Sequence, residues 1–234
     1  MRLLDRFRSL FDGQEYRHRR SNLGDFVALE LYEDMIDLKK SENFTEKVRN
    51  RDCVANVSNK TVGKVARRGD GTFGELVPGA EAVSVPGFSL ARGPTANIQI
   101  GVETKILAKA MIKQIDRVIG DLQRQVQMFK RSGGNPVTVG IVGINFSDSY
   151  VSYEGTRDFV TDGRRYKHPS QEALEAQNRL ISQARDSFDE FLVIPFIATN
   201  VAPYPFHWKE QMRTTLEYAA LLTRVTRLYD GRFG

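Results

Sequence analysis

The run Ile98-Gln99-Ile100-Gly101-Val102-Glu103-Thr104-Lys105 alternates in character and ends with an acid and a lysine two residues apart. In an extended strand successive side chains point to opposite faces. Glu103 and Lys105 therefore share a face with Gln99 and Gly101, while Ile98, Ile100, Val102 and Thr104 line the other. One face suits a core, the other chemistry. A carboxylate can hold a divalent cation, and a fixed ammonium beside it can orient and help deprotonate an attacking water. Metal-assisted phosphodiester hydrolysis needs that combination.

Acid-any-lysine is a short pattern, so its surroundings carry the reading. Asp37-Leu38-Lys39 has the same spelling but lies in a stretch that reads as helix, where residues two apart do not face each other. Residues 107–130 place Met111, Ile115, Val118, Leu122, Val126 and Phe129 in steps of three and four, which marks an amphipathic helix. Arg131-Ser132-Gly133-Gly134-Asn135-Pro136 stops it, and residues 137–144 read as a buried strand dense in valine, isoleucine and glycine. Strand, helix, strand predicts a parallel crossover in an α/β sheet.

A pair of strands whose second ends in Glu-x-Lys, followed by a long helix and another strand, resembles the core of the PD-(D/E)xK nuclease superfamily. The resemblance covers residues 75–199. It implies a restriction-endonuclease-like α/β domain, a central mixed sheet flanked by helices, acting as a magnesium- or manganese-dependent endonuclease on DNA. The superfamily places a further acid on the preceding strand, often just after a proline. Pro78-Gly79-Ala80-Glu81 fits that slot, with Glu81 standing 22 residues before Glu103. The pattern departs from the usual one, since two residues separate proline from acid and the acid is glutamate. Glu75 and Asp70 are rivals for the role. Some members add an acid from the first helix, for which Glu30 and Glu33 are the candidates. Glu81, Glu103 and Lys105 are thus the expected catalytic residues, and Glu81 and Glu103 the expected metal ligands. A binding protein that keeps the fold without turnover, or a scaffold in which Glu103 and Lys105 form only an ion pair, are the alternatives.

The chain's 234 residues, 41% hydrophobic and 27% charged, suit one substantial core. The expected division is a basic N-terminal segment, 1–20, and one domain, 21–234. No apolar run approaches the roughly eighteen residues of a membrane span, and residues 1–6 lack the apolar stretch of a signal peptide. One cysteine, Cys53, excludes an internal disulfide and any cysteine-rich zinc site. The expectation is a cytoplasmic protein with no membrane partner. A homodimer through the first or last helix is possible, without heptads to support it.

The net charge of +5 is unevenly spread, with seven basic residues and only Asp52 as acid in residues 47–68. Such a patch attracts phosphate backbones by counterion release, although a solvated surface is its ordinary reading. Arg67, Arg68 and Arg92 are candidate nucleic-acid contacts. Lys109, Lys113 and Arg117 recur every four residues on the helix after Lys105 and add a basic stripe.

Residues 1–11 read as a basic amphipathic helix that docks on the body, and 23–38 as a second helix. Gly69-Asp70-Gly71-Thr72-Phe73-Gly74 spells G-x-G-x-x-G. Pro78-Gly79 closes off the helix that a dinucleotide site requires, so these glycines are expected in a hairpin turn. Residues 148–169 read as an irregular loop rich in tyrosine and arginine, a candidate for substrate contact. Phe206-His207-Trp208 reads as a packed corner, and no histidine has a second metal ligand near it.

Overall fold

The alternating run lies at the centre of a seven-stranded mixed sheet in a computed structural model, which describes residues 1–17, 23–56, 70–109, 111–131, 134–154, 157–163 and 169–234. The helices are α1 (Arg2–Ser9), α2 (Leu23–Leu38), α3 (Glu42–Arg49), α4 (Met111–Arg131), α5 (Pro169–Gln183) and α6 (Gln211–Phe233). The strands are β1 (Cys53–Asn56), β2 (Gly71–Glu75), β3 (Arg92–Gly93), β4 (Ile100–Leu107), β5 (Val137–Asn145), β6 (Tyr150–Glu154), β7 (Arg157–Thr161), β8 (Glu190–Ala198) and β9 (Phe206–Trp208). The sheet order is β3-β1-β2-β4-β5-β8-β9, and β6 and β7 form a separate two-stranded hairpin. The expected α/β fold, with a mixed sheet flanked by helices, is present.

Strand β4 pairs antiparallel with β2 and parallel with β5, and α4 makes the crossover between the parallel pair. The pairing runs to Leu107↔Ile144 and draws Leu107 into the strand, although its apolar spacing suits the helix that follows. Ile100 and Val102 enter a core shared with α1, α2, α3 and α6. Leu107 enters a second core with Ile115, Leu122 and Val126 of α4 and Ala173 and Leu180 of α5. Each fully buried large aliphatic side chain contributes on the order of 2 kcal/mol. At Gly101 the Phe129 ring of α4 takes the space of a side chain, since a Cβ there would lie 2.5 Å from the ring. The helix can therefore press onto β4 just ahead of Glu103.

Three local expectations are replaced. Of the run 69–74 read as a hairpin turn, residues 71–74 lie in strand β2, because pairing on both edges, to β1 and β4, outweighs the turn propensity of its glycines, and Gly69 falls outside the described residues. The segment around Glu81 is a loop whose only bridge is Val83↔Arg92. Part of the segment read as an irregular loop is the hairpin β6–β7, held by five cross-strand pairs from Tyr150↔Thr161 to Glu154↔Arg157.

Helix α1 does dock on the body: Leu3 and Phe7 are fully buried in the core that also holds Phe196 and Tyr218. Phe206 is buried among Phe7, Phe11 and Phe196, the packed corner that the sequence suggests. Among the described residues no helix is long and apolar enough to cross a membrane.

Candidate active site

Glu103 and Lys105 emerge on one face of β4, and the Lys105 ammonium makes an ion pair with the Glu103 carboxylate. Glu103 is only 6% exposed. The acid brought to them is Asp70. It lies one step beyond the pair Gly71↔Val102, where the register of β2 and β4 aims it at Glu103. Its carboxylate accepts the Thr104 N–H at 2.8 Å, and its own backbone N–H donates to Glu103. Gly24, in the first turn of α2, closes the other side: a Cβ there would lie 2.6 Å from Asp70 Cγ. Gly24 and the backbone of β4 thus fix the position of the Asp70 carboxylate.

The electrostatics follow from this crowding. Burial and the neighbouring Asp70 charge push the Glu103 carboxyl up to about 7, against the opposing pull of Lys105. Burial alone would lower the Lys105 pKa, but Glu103 and Asp70 outweigh it, with Asp121 of α4 adding a further negative charge, and the net shift is upward. Lys105 is therefore an ammonium facing two carboxylates. The cluster carries more negative than positive charge in a partly dehydrated place, and that imbalance favours a cation.

The other candidates lie elsewhere. Glu81 is exposed, and its backbone carbonyl rests near Gly93 of β3. Strands β1 and β2 separate β3 from β4, about 14 Å at the usual inter-strand spacing. The structure does not bring Glu81 to Glu103. Glu33 is fully buried and accepts the backbone N–H groups of Ser89 and Leu90, each at 2.9 Å, with Arg2 at 3.3 Å. Glu30 pairs with Arg6 at 3.3 Å. Both acids bind α1 to α2, and α2 reaches the site through Gly24 instead. Arg92 sits half-buried on β3, Lys113 is exposed on α4, and the Lys109 Nζ lies 5.7 Å from the Phe159 ring. Arg67 and Arg68 fall outside the described residues.

Asp121 escaped the sequence reading, yet it continues the four-residue series of Lys109, Lys113 and Arg117, and a helix places such a series along one stripe. Among the described residues no group of three or more His, Cys, Asp or Glu side chains is assembled for a metal ion. Asp70 and Glu103 supply two carboxylates. That number fits magnesium, which keeps several of its waters and is commonly held by one or two carboxylates plus substrate phosphate.

No family model, curated protein or solved structure matches this chain.

Proposed function

We propose that the protein is a metal-dependent nuclease of the PD-(D/E)xK kind that hydrolyses phosphodiester bonds in DNA. The observation that carries the reading is the meeting of Asp70, Glu103 and Lys105 where β2 and β4 adjoin. The element order supports it as well: a helix, three strands paired through antiparallel β1–β2 and β2–β4 contacts, a crossover helix, and a parallel strand. In this reading Asp70, rather than Glu81, takes the place of the superfamily's first acid, with a position next to Gly71 in place of the proline–acid pair.

Asp70 and Glu103 are the residues to hold magnesium or manganese. Such an ion, when bound, supplies Lewis-acid stabilisation of the phosphoryl oxygens and lowers the pKa of a water. The protein's own part is to hold two carboxylates at fixed positions, one of them by the Thr104 N–H. Lys105 keeps its proton beside them, so its role is to donate a hydrogen bond to the attacking water and to stabilise negative charge on the phosphoryl group. A base role for it is disfavoured by those same carboxylates. Helix α4 is seated on Gly101 through Phe129, two residues before Glu103 on the same strand face.

Purified protein incubated with supercoiled, linear and single-stranded DNA, in magnesium, manganese or chelator, tests the reading. Metal-dependent cleavage that disappears in Lys105→Ala and Asp70→Asn but persists in Glu81→Gln is the expected result. Equal cleavage by Lys105→Ala defeats it. A second reading, a nucleic-acid-binding protein without turnover, is favoured by the departure from the superfamily's proline–acid pair, since Gly79 and not an acid follows Pro78. It predicts DNA binding with no cleavage in any metal.

A further inference from the structure

The hairpin β6–β7 stands outside the main sheet and is tied to the body chiefly through its inner strand. The Val151 N–H donates to the Thr199 carbonyl at 3.0 Å, and Asn200 Nδ2 donates to the Val151 carbonyl at 2.8 Å. Among the described residues strand β7 pairs only with β6, and it carries Phe159 at 47% exposure and Val160 at 65%. An outer strand with two adjacent large apolar side chains in water favours edge-to-edge association and is commonly blunted by charge or proline. Here the pairing Ser152↔Phe159 puts Phe159 on the same side of the hairpin as the buried Ser152, and its ring meets Lys109 at 5.7 Å. Lys109 follows Lys105 by four residues, so their Cα atoms lie within about 14 Å of each other. The Lys109 ammonium lies over one face of the half-exposed Phe159 ring. Single-stranded nucleic acid uses such a pair when a base stacks on the ring face turned from the cation and the adjoining phosphate meets the cation.

The geometry points to Phe159 as a stacking platform for an unpaired base of the nucleic-acid substrate, with Lys109 on the neighbouring phosphate. The hairpin then selects single-stranded or splayed DNA over closed duplex. This assignment rests on the nuclease reading for its place beside Lys105, and it deepens that reading by naming a substrate class. Val160 belongs to the opposite side of the hairpin, because consecutive strand residues alternate, and it has no part in the contact. A peptide that added a strand to β7 would instead use the backbone edge and both side chains.

The test measures fluorescence anisotropy of a labelled oligodeoxynucleotide, single-stranded or as a blunt duplex, in chelator with the full chain. Phe159→Ala and Phe159→Leu should each weaken single-strand binding about tenfold, the scale of one lost base–aromatic stack, and leave duplex binding unchanged. Phe159→Trp should retain affinity, and Val160→Ala should match wild type. Wild-type single-strand affinity in Phe159→Ala overturns the assignment. So does a leucine variant that behaves like phenylalanine, or an equal loss in Val160→Ala, which would mark apolar docking of a protein segment. Cleavage with magnesium is followed in parallel. Metal-dependent cleavage with no effect of Phe159→Ala on binding removes the stacking contact and leaves the nuclease. Phe159-dependent binding without cleavage in any metal removes the nuclease and leaves the contact.

Discussion

Two groups of buried acids in this chain differ in how fully they are compensated. On α2, Glu33 receives two backbone N–H groups and Arg2, and Asp34 receives the N–H groups of Arg2 and Leu3 and the Tyr218 phenol at 2.6 Å. On β4, Glu103 receives the Lys105 ammonium and the Asp70 backbone N–H, but the Asp70 carboxylate is its neighbour as well, and its pKa is pushed up to about 7 by burial and by that charge. The first group is saturated by groups that belong to the fold, and it fastens α1 over α2. The second is crowded with like charge and suits a ligand of opposite sign. Burial alone does not separate a structural acid from a functional one; the partners do.

The largest effects that test this contrast are on activity. Lys105→Ala, Glu103→Gln and Asp70→Asn should each lower the proposed metal-dependent cleavage by at least about 100-fold, the usual cost of losing a charge-stabilising group. Thermal unfolding of Glu103→Gln should stay within roughly 1 kcal/mol of wild type, since Asp70 still balances Lys105. A large loss of stability would place Glu103 with the structural acids. The reverse holds for Asp34→Ala, which strands two backbone N–H groups and a phenol. Urea unfolding should show a loss of roughly 3 kcal/mol, with cleavage per folded molecule unchanged.

Gly24→Ala tests the packing between α2 and the site. Its Cβ would displace the Asp70 carboxylate, and cleavage should fall about tenfold with little change in melting, because small misplacements of catalytic groups cost rate more than stability. Normal rates would mean that the position of Asp70 is immaterial.

The smallest effect is a pH dependence at a saturated acid away from the site. Burial raises the Asp189 pKa, but Arg232 and the Thr138 N–H and hydroxyl lower it more, so the net shift is downward. Its stabilisation is fully present above the ordinary value of 3.8 and is lost as pH falls through the lower folded value. Asp189→Asn should flatten the stability profile in that acidic window and be least harmful at its bottom. An unchanged slope there would show that Arg232 and Thr138 add nothing to the carboxylate.

Much of the central architecture was legible in local pattern. The alternation of Ile100, Gly101, Val102 and Glu103 marks a strand with two unlike faces, and the three–four spacing of Ile115, Val118, Leu122, Val126 and Phe129 marks the helix laid on it. The Glu103–Lys105 pairing follows directly from strand geometry. The run 69–74 misled because glycine-rich spelling reports turn propensity, whereas pairing to β1 and β4 decides the conformation of residues 71–74. Phe159 was hidden for a different reason: a hairpin with no stake in the main sheet leaves little periodicity in a short stretch rich in polar residues.

The sequence by itself determined which residues of β4 face together, that a helix must return the chain to a parallel β5, and that Glu103 and Lys105 would meet. Only the tertiary structure decided which distant acid joins them. Glu81 is nearer to Glu103 in sequence but lies across β1 and β2. Asp70, 33 residues before Glu103, is set beside it by antiparallel register and by the close approach of Gly24. Pairing partners and register are set by long-range packing of one buried face, and no local spelling of residues carries that information.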